Sequence, residues 1–514
     1  MGPFALPAIV MVTLATVAIG AYGLRLARTT SDFLVASRTV SPRWNAAAIS
    51  GEYLSAASFL GVAGLILKSG VTMLWYPVGF AAGYAALLLF IAAPLRRSGA
   101  FTLPDFCQVR LRSVRLRKLA TGFVIFIGWL YLVPQLQGAG LTLRTVTGWP
   151  YPVGAVVVAV VVTGHVALGG MRAITFVQAF QYWLKLTALA VPIVFILMRW
   201  QADGRPAITG DPADPATPAG DLSWLMPGGP GSAGLFATYS LILATFLGTL
   251  GLPHVLVRFY TNPDGAAARR TTLVVLGLVG AFYLLPTLYG ALGRVYTPEL
   301  AGAGDTDAVV LLLPGAALGA DLAGQLLSAL VAAGAFAAFL STSSGLITSV
   351  AGVLSTDVIG RGHPTPARSV RDFRIGSVRD FRIAAVVAGA VPLVLSLRVS
   401  DLDVSQVVGL AFAVAASSFC PLLLLGIWWR GLTDAGAAAG VLVGGGAAAA
   451  AVLLTVLGLA PSGPLAALVT WPAAWTVPLA FAVMIGVSLA TRNRIPPEVG
   501  QTMLRLHTPD ALRL

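Results

Sequence analysis

The stretch Ala46-Ala-Ala-Ile-Ser-Gly-Glu-Tyr-Leu-Ser-Ala-Ala-Ser-Phe-Leu-Gly-Val-Ala-Gly64 reads as a membrane span that departs from an ordinary lipid-facing one. Gly51, Glu52, Ser55, Ser58, Gly61 and Gly64 stand where such a span carries Leu and Val. Small residues at helix-contact spacing let neighbouring backbones approach closely, which is the packing role of Gly61 and Gly64. Glu52 differs, because a carboxylate at that depth is costly unless it faces water, an ion or a partner. Two readings of it are open: a coupling role in function, or a structural carboxylate that caps a broken helix end or meets an arginine.

The surrounding chain sets the class. Of 514 residues, 57% are apolar and 10% charged, a composition that excludes a soluble multidomain protein. Apolar runs predict thirteen spans, at roughly 5–28, 44–67, 72–96, 118–146, 152–171, 174–199, 233–257, 271–294, 322–356, 383–398, 404–428, 435–458 and 471–491. Each is long enough for a ~30 Å hydrocarbon core. With the N-terminus outside, the inner connections and the tail 492–514 hold most of the 33 Lys and Arg, which fixes orientation because basic loops resist translocation. The outer loops are acidic instead, with Asp203, Asp211, Asp214 and Asp221 in one and Glu299, Asp305, Asp307 and Asp321 in another. The expected product is a multi-pass protein of the cell membrane, N-terminus out and C-terminus in. The net charge of +13 is split among short inner segments, so it reads as topogenic charge beside anionic lipid and not as a nucleic-acid surface. Cys107 and Cys420 sit on different elements and imply neither a disulfide nor a metal site. The run from Leu6 to Leu24 lacks a basic leader and is followed by Arg25 and Arg28, which suits a retained span.

Smaller features complete the pass. The segment 201–232 is rich in Pro, Gly and Asp and reads as an irregular loop. Residues 96–118 read as a short amphipathic helix on the membrane surface, starting at Thr102-Leu-Pro-Asp105. A tandem repeat, Val370–Ser377 and then Val378–Ile383, is assigned no role. In span nine, Ala338-Phe-Leu-Ser-Thr-Ser-Ser-Gly-Leu-Ile-Thr-Ser349 concentrates hydroxyls beyond what packing needs. The Ala338 carbonyl and the Ser341 and Thr342 hydroxyls share about one turn of one face, a set that suits a hard monovalent cation.

Five ordered stretches carry a family resemblance: Ser31–Arg38, Gly51–Gly61, Leu168–Gln178, Gly251–Tyr260 and the span-nine cluster as far as Asp357. Over roughly residues 30–430 the chain resembles the sodium/solute symporters, and within them the acetate and short-chain monocarboxylate permeases. The resemblance implies an all-α, LeuT-like core of two inverted five-helix repeats, 44–199 and 233–428, around a midplane site. An extra N-terminal helix at 5–28 and two C-terminal helices at 435–491 flank that core. It also implies a sodium ion held by the Gly51, Leu54 and Ala338 carbonyls and the Ser341 and Thr342 hydroxyls, between a kink at Gly51–Glu52 and a turn at Ser341–Thr342. Acetate permeases usually have Asp where this chain has Glu52, which leaves proton coupling open. In the resemblance the broken helix of the second repeat is span seven, where Gly248, Gly251 and Pro253 explain the opening and the opened end would favour a carboxylate. Ser58, Gln135, Gly251 and His254 are the expected substrate contacts, among walls of Phe59, Trp129 and Tyr131. Such a donor-poor lining suits acetate, propionate or pyruvate better than a sugar. A proline-like amino-acid symporter and a transporter-derived solute sensor are the alternatives, the latter disfavoured by the short tail. A small membrane accessory subunit is a partner that the sequence neither requires nor excludes. No nucleophile elbow, metal-ligand cluster or phosphate loop suggests an enzyme or an organic cofactor.

Overall fold

The computed structural model describes residues 2–24, 40–207, 232–302, 306–319, 321–359, 378–398, 404–462 and 464–510. The stretch Ser31–Arg38, most of the loop after span six, Asp305 and the first copy of the tandem repeat lie outside these. All regular structure among the described residues is helical, and eleven helical stretches there are long and apolar enough to cross a membrane. One of them, Ala57–Arg97, takes in the later part of the span expected at 44–67 and the whole of that at 72–96, with a 3-10 turn at Gly70–Leu74 between them.

In chain order the helices used below are α1 (Ala5–Leu24), α2 (Pro42–Tyr53), α3 (Val62–Ser69) and α4 (Trp75–Ala86). Then come α5 (Leu103–Leu111), α6 (Val114–Thr147), α7 (Tyr151–Met171) and α8 (Ala173–Ala202), the last two joined at a bend at Gly170. The second half holds α9 (Ser232–Gly251), α10 (Pro253–Phe259), α11 (Gly265–Tyr296), α12 (Val309–Leu318) and α13 (Leu322–Val353). It closes with α14 (Val378–Ser396), α15 (Val404–Trp428), α16 (Asp434–Val456), α17 (Ala473–Ala490) and α18 (Val499–His507). The centre of the bundle is α2, α8 and α13 packed on one another, with α9 against α4 and α15.

Span two is interrupted, but the expected kink at Gly51–Glu52 is corrected, since the helix runs on through Tyr53 and Gly51 serves close packing instead. Leu54 (φ −75, ψ 85) leaves helical geometry, and a π turn at Ala57–Gly61 restarts the helix. Span seven is interrupted at Leu252 (φ −71, ψ 115), where Pro253 opens α10. Proline fits there because the first turn of a helix has no partner for its N–H. The expected Ser341–Thr342 turn is corrected, since α13 runs helically through the whole hydroxyl cluster. Thr and Ser hydroxyls bond back to carbonyls of the same helix, as Thr348 does to Ser344, so polarity alone does not unwind it.

The surface helix expected at 96–118 is also corrected. Thr102 and Asp105 form a capping box at the start of α5, as the motif suggests. The helix is then buried on nearly every side, and Arg110 donates to the Gly426 and Trp429 carbonyls at 2.8 and 3.0 Å. Burial lowers the Arg110 guanidinium to about 10, still charged at neutral pH, and pushes the Cys107 thiol up to about 12. The Asp105 carboxyl is held above its usual range because burial outweighs the neighbouring Arg117. Arg117 bridges Asp105 and Asp357 at 2.9 and 2.6 Å, tying α5, α6 and the end of the α13 span together. The polar residues that mimic a surface helix are thus consumed by internal partners.

Candidate functional site

The break after α2 leaves backbone carbonyls without helical partners, and the negative end of the helix dipole points there. Gly51 allows that end to sit directly on α8, because any Cβ would collide with the Gln178 carbonyl. Ser341 and Thr342 of α13 reach across to it. The Ser341 hydroxyl lies 2.7 Å from the Gly51 carbonyl and 3.0 Å from that of Ala338, and the Thr342 hydroxyl donates to the Glu52 carbonyl at 2.5 Å. The five groups expected to hold a cation therefore share one buried neighbourhood.

A group that sequence reasoning overlooked sits among them. The Lys185 ammonium on α8 donates to the Gly51 carbonyl at 2.5 Å, the Leu54 carbonyl at 2.7 Å and the Ser341 hydroxyl at 2.9 Å. The lysine is fully buried, and three N–H donors meet three acceptors. In this arrangement the oxygen set does not fit a sodium ion as well. A second unit charge about 3 Å from the ammonium would meet a repulsion on the order of 5 kcal/mol at an effective dielectric of about 20. The overlooked signal was available, since a lysine in the middle of span six is an intramembrane ionisable group.

Glu52 is the neighbour of this set and has its own partner. Its carboxylate accepts from Arg258 of α10 at 2.5 Å, with both side chains 1% exposed. Arg258 also donates to the Thr175 hydroxyl at 2.9 Å and to the Gln178 side-chain oxygen. Gln178 in turn donates to the Ser341 carbonyl at 2.8 Å. Gly345 makes room for the carboxylate, since a Cβ there would overlap it. The meeting with an arginine is the structural alternative weighed for Glu52, and Arg258 supplies it. Gln178 and Arg258 were quoted as parts of matching motifs without a role.

The four expected substrate contacts do not converge equally. Gln135 of α6 accepts from the Ala56 backbone N–H at 2.8 Å and so caps the restart of the broken helix. His254 sits edge-on to Tyr131, one turn from Gln135, with ring centroids 5.2 Å apart. It is 1% exposed, and both ring nitrogens lack a hydrogen-bond partner. Ser58 lies at the far side of an aromatic cluster, its hydroxyl 2.8 Å from that of Tyr283. Phe412, Phe80 and Tyr53 fill the space between, with Phe80 4.8 Å from Phe412 and 5.6 Å from Tyr283. Gly251 is a packing position against the Ala415 carbonyl of α15. Of the expected walls, Tyr131 lines this region, whereas Phe59 turns to Phe282.

Comparison with known proteins adds independent support. The sodium:solute symporter family model matches residues 33–444. The chain is 32% identical over 433 residues to the uncharacterized symporter YwcA of Bacillus subtilis, covering 83% of this chain and 81% of that protein. It is 33% identical over 449 residues to a monocarboxylic acid transporter of Corynebacterium glutamicum, covering 81% and 78%. Among solved structures, a Na+-coupled sialic acid symporter in a substrate-bound outward-open state superposes with a TM-score of 0.67 at 16% identity, covering 94% of this chain and 98% of that one. Mhp1 in its inward-facing conformation gives 0.52 at 15%, covering 91% and 95%. At such identities the likeness concerns the fold, which is LeuT-like.

Proposed function

The chain belongs to the sodium:solute symporter family, and from that premise we propose that it imports a short monocarboxylate. It is a secondary transporter of the membrane and not an enzyme. Acetate, propionate and pyruvate are the substrates of this reading, carried by alternating access between two inverted repeats, 44–199 and 233–428. Thirteen spans with the N-terminus out and the C-terminus in complete the topology, flanked by the helix at 5–28 and the two at 435–491.

The observation that carries the substrate class is His254, a buried side chain with two unpartnered nitrogens beside an aromatic, donor-poor cluster. Buried polar groups without partners are rare and costly, so one that persists marks a place where a ligand completes the bonding. A carboxylate with a small apolar tail can accept from an imidazole N–H of His254 while its tail meets the rings. A sugar would leave most of its hydroxyls unpaired here. The name of the Corynebacterium relative agrees with this substrate class.

The driving cation has two readings. Sodium is implied by the family's description, at the oxygens of Gly51, Leu54, Ala338, Ser341 and Thr342. Proton coupling is the alternative, and Lys185 favours it because the ammonium holds three of those oxygens already. Uptake of radiolabelled pyruvate into proteoliposomes tests the substrate, with acetate and propionate as expected competitors. Competition by proline or other zwitterions, with none by acetate, would overturn the monocarboxylate reading. Inward sodium and proton gradients applied separately distinguish the cations.

A further inference from the structure

We propose that Lys185 is the resident cation of the oxygen set at the α2 break, so that this protein binds no sodium there. The inference rests on reading these oxygens as the family's cation site, and not on which carboxylate is carried.

Three observations support it. First, the ammonium is matched donor for acceptor, at 2.5, 2.7 and 2.9 Å, by two free carbonyls of a helix end and one hydroxyl. A helix C-terminus attracts a cation whether the cation is free or tethered. Second, the charged and polar groups around the ammonium are largely engaged with one another. Glu52, the neighbouring carboxylate, gives one oxygen to Arg258, and α13 meets this level with the neutral hydroxyls of Ser341, Thr342 and Ser344. Tyr182 on α8 and Tyr289 on α11 spend their hydroxyls on the Leu278 and Leu189 carbonyls. Within Ala5–Leu24, α1 carries no charged residue, and Arg382 on α14 is bonded to the Ala167 carbonyl. Third, the remaining two expected ligands are turned to other work. The Ala338 carbonyl receives the Ser341 hydroxyl, and the Thr342 hydroxyl donates to the Glu52 carbonyl.

A tethered ammonium does structurally what a bound ion would do, clamping the broken α2 against α8 and α13. It differs in one respect, because it cannot dissociate and carry a gradient's energy with it. The oxygens at the α2 break then pass on none of a sodium gradient's energy.

The test reads sodium binding, separately from any transported solute. Purified protein in detergent is titrated with sodium chloride against choline chloride, following thermal unfolding and binding of radioactive sodium. The wild type should show no sodium-specific shift and no saturable binding. Lys185→Ala vacates the oxygens and should gain both, with melting rising by several degrees in sodium and not in choline. Lys185→Met keeps the apolar stem and serves if the alanine variant fails to fold. Saturable sodium binding by the wild type, or a sodium shift equal to that of the variants, overturns the proposal. Failure of the substrate reading would leave this result untouched, since pyruvate takes no part in it.

Discussion

The two interrupted helices are made by similar residues and finished differently. At the first break, the main groups exposed by unwinding find internal partners: carbonyls meet Lys185, the Ala56 N–H meets Gln135, and one Glu52 oxygen meets Arg258, while Glu52 Oε1 and the Ser50 and Ser55 hydroxyls are left without one. At the second break, Pro253 removes one donor by its chemistry and His254 is left with two bare nitrogens in a buried, aromatic setting. The difference suggests a division of labour. The first break is an electrostatic lock whose charges are paired across helices, and the second presents an uncharged ring with both nitrogens bare among aromatic side chains.

The comparison breaks most readily at the lock. Arg258→Ala leaves the Glu52 carboxylate buried without its counter-ion, and should destabilise the protein by about 3–5 kcal/mol, read as a large drop in detergent melting temperature. The double variant Glu52→Gln with Arg258→Met should recover most of that loss, because it removes both charges together. A single variant that melts with the wild type would show that the pair seals nothing.

A smaller effect is expected from Gly345→Ala, whose new methyl overlaps the Glu52 carboxylate. Displacing a packed, paired group typically costs about 1–3 kcal/mol, measured the same way. Normal stability would mean that the carboxylate has slack at the lock.

At the second break, the expected effect falls on function and spares stability. His254→Phe should raise the KM for pyruvate on the order of tenfold, equivalent to about 1.4 kcal/mol of lost binding. Its melting temperature should stay near that of the wild type, because the imidazole gives up no internal hydrogen bond. Unchanged KM would remove His254 from the substrate reading.

The mildest test concerns the end of the bundle held by Arg117. With Cys420→Ala as background, Cys107 should react with maleimide at neutral pH about a thousandfold more slowly than a free thiol, given its rise to about 12 against an ordinary value of ~8.5. The thiolate is the reacting form, so the rate should climb as pH rises and not level off until near that value. Fast labelling at neutral pH would show that the bundle opens around α5 without help from substrate.

Much of this was legible without coordinates, for reasons visible in particular residues. The interruption at Pro253 follows from backbone chemistry that is local to the sequence, whereas the break expected at Gly51–Glu52 falls three residues on, at Leu54–Ser55. The Thr102–Asp105 capping box and the run of apolar spans are local as well. Ser341 and Thr342 were found because hydroxyls crowd one helical face, a one-dimensional signal. Three things escaped. The helix α5 was expected on the surface because its polar side chains look solvated until Gly426, Trp429 and Asp357 are seen around it. The Ser341–Thr342 turn was implied by the resemblance, and the helix stays wound because its hydroxyls bond to carbonyls of the same helix. Lys185 was overlooked because a single lysine among apolar residues carries no spacing pattern, and its partners lie 131 to 156 positions away.

The amino-acid order alone determined that the chain is a bundle of membrane helices, that two of them break and which oxygens lie near those breaks. Periodicity, proline and glycine act within a few residues, so they can be read in one dimension. Only the tertiary structure decided who answers those oxygens. A buried charge is settled by whichever groups arrive within about 3 Å, and contacts that short between distant segments exist only after the helices have packed.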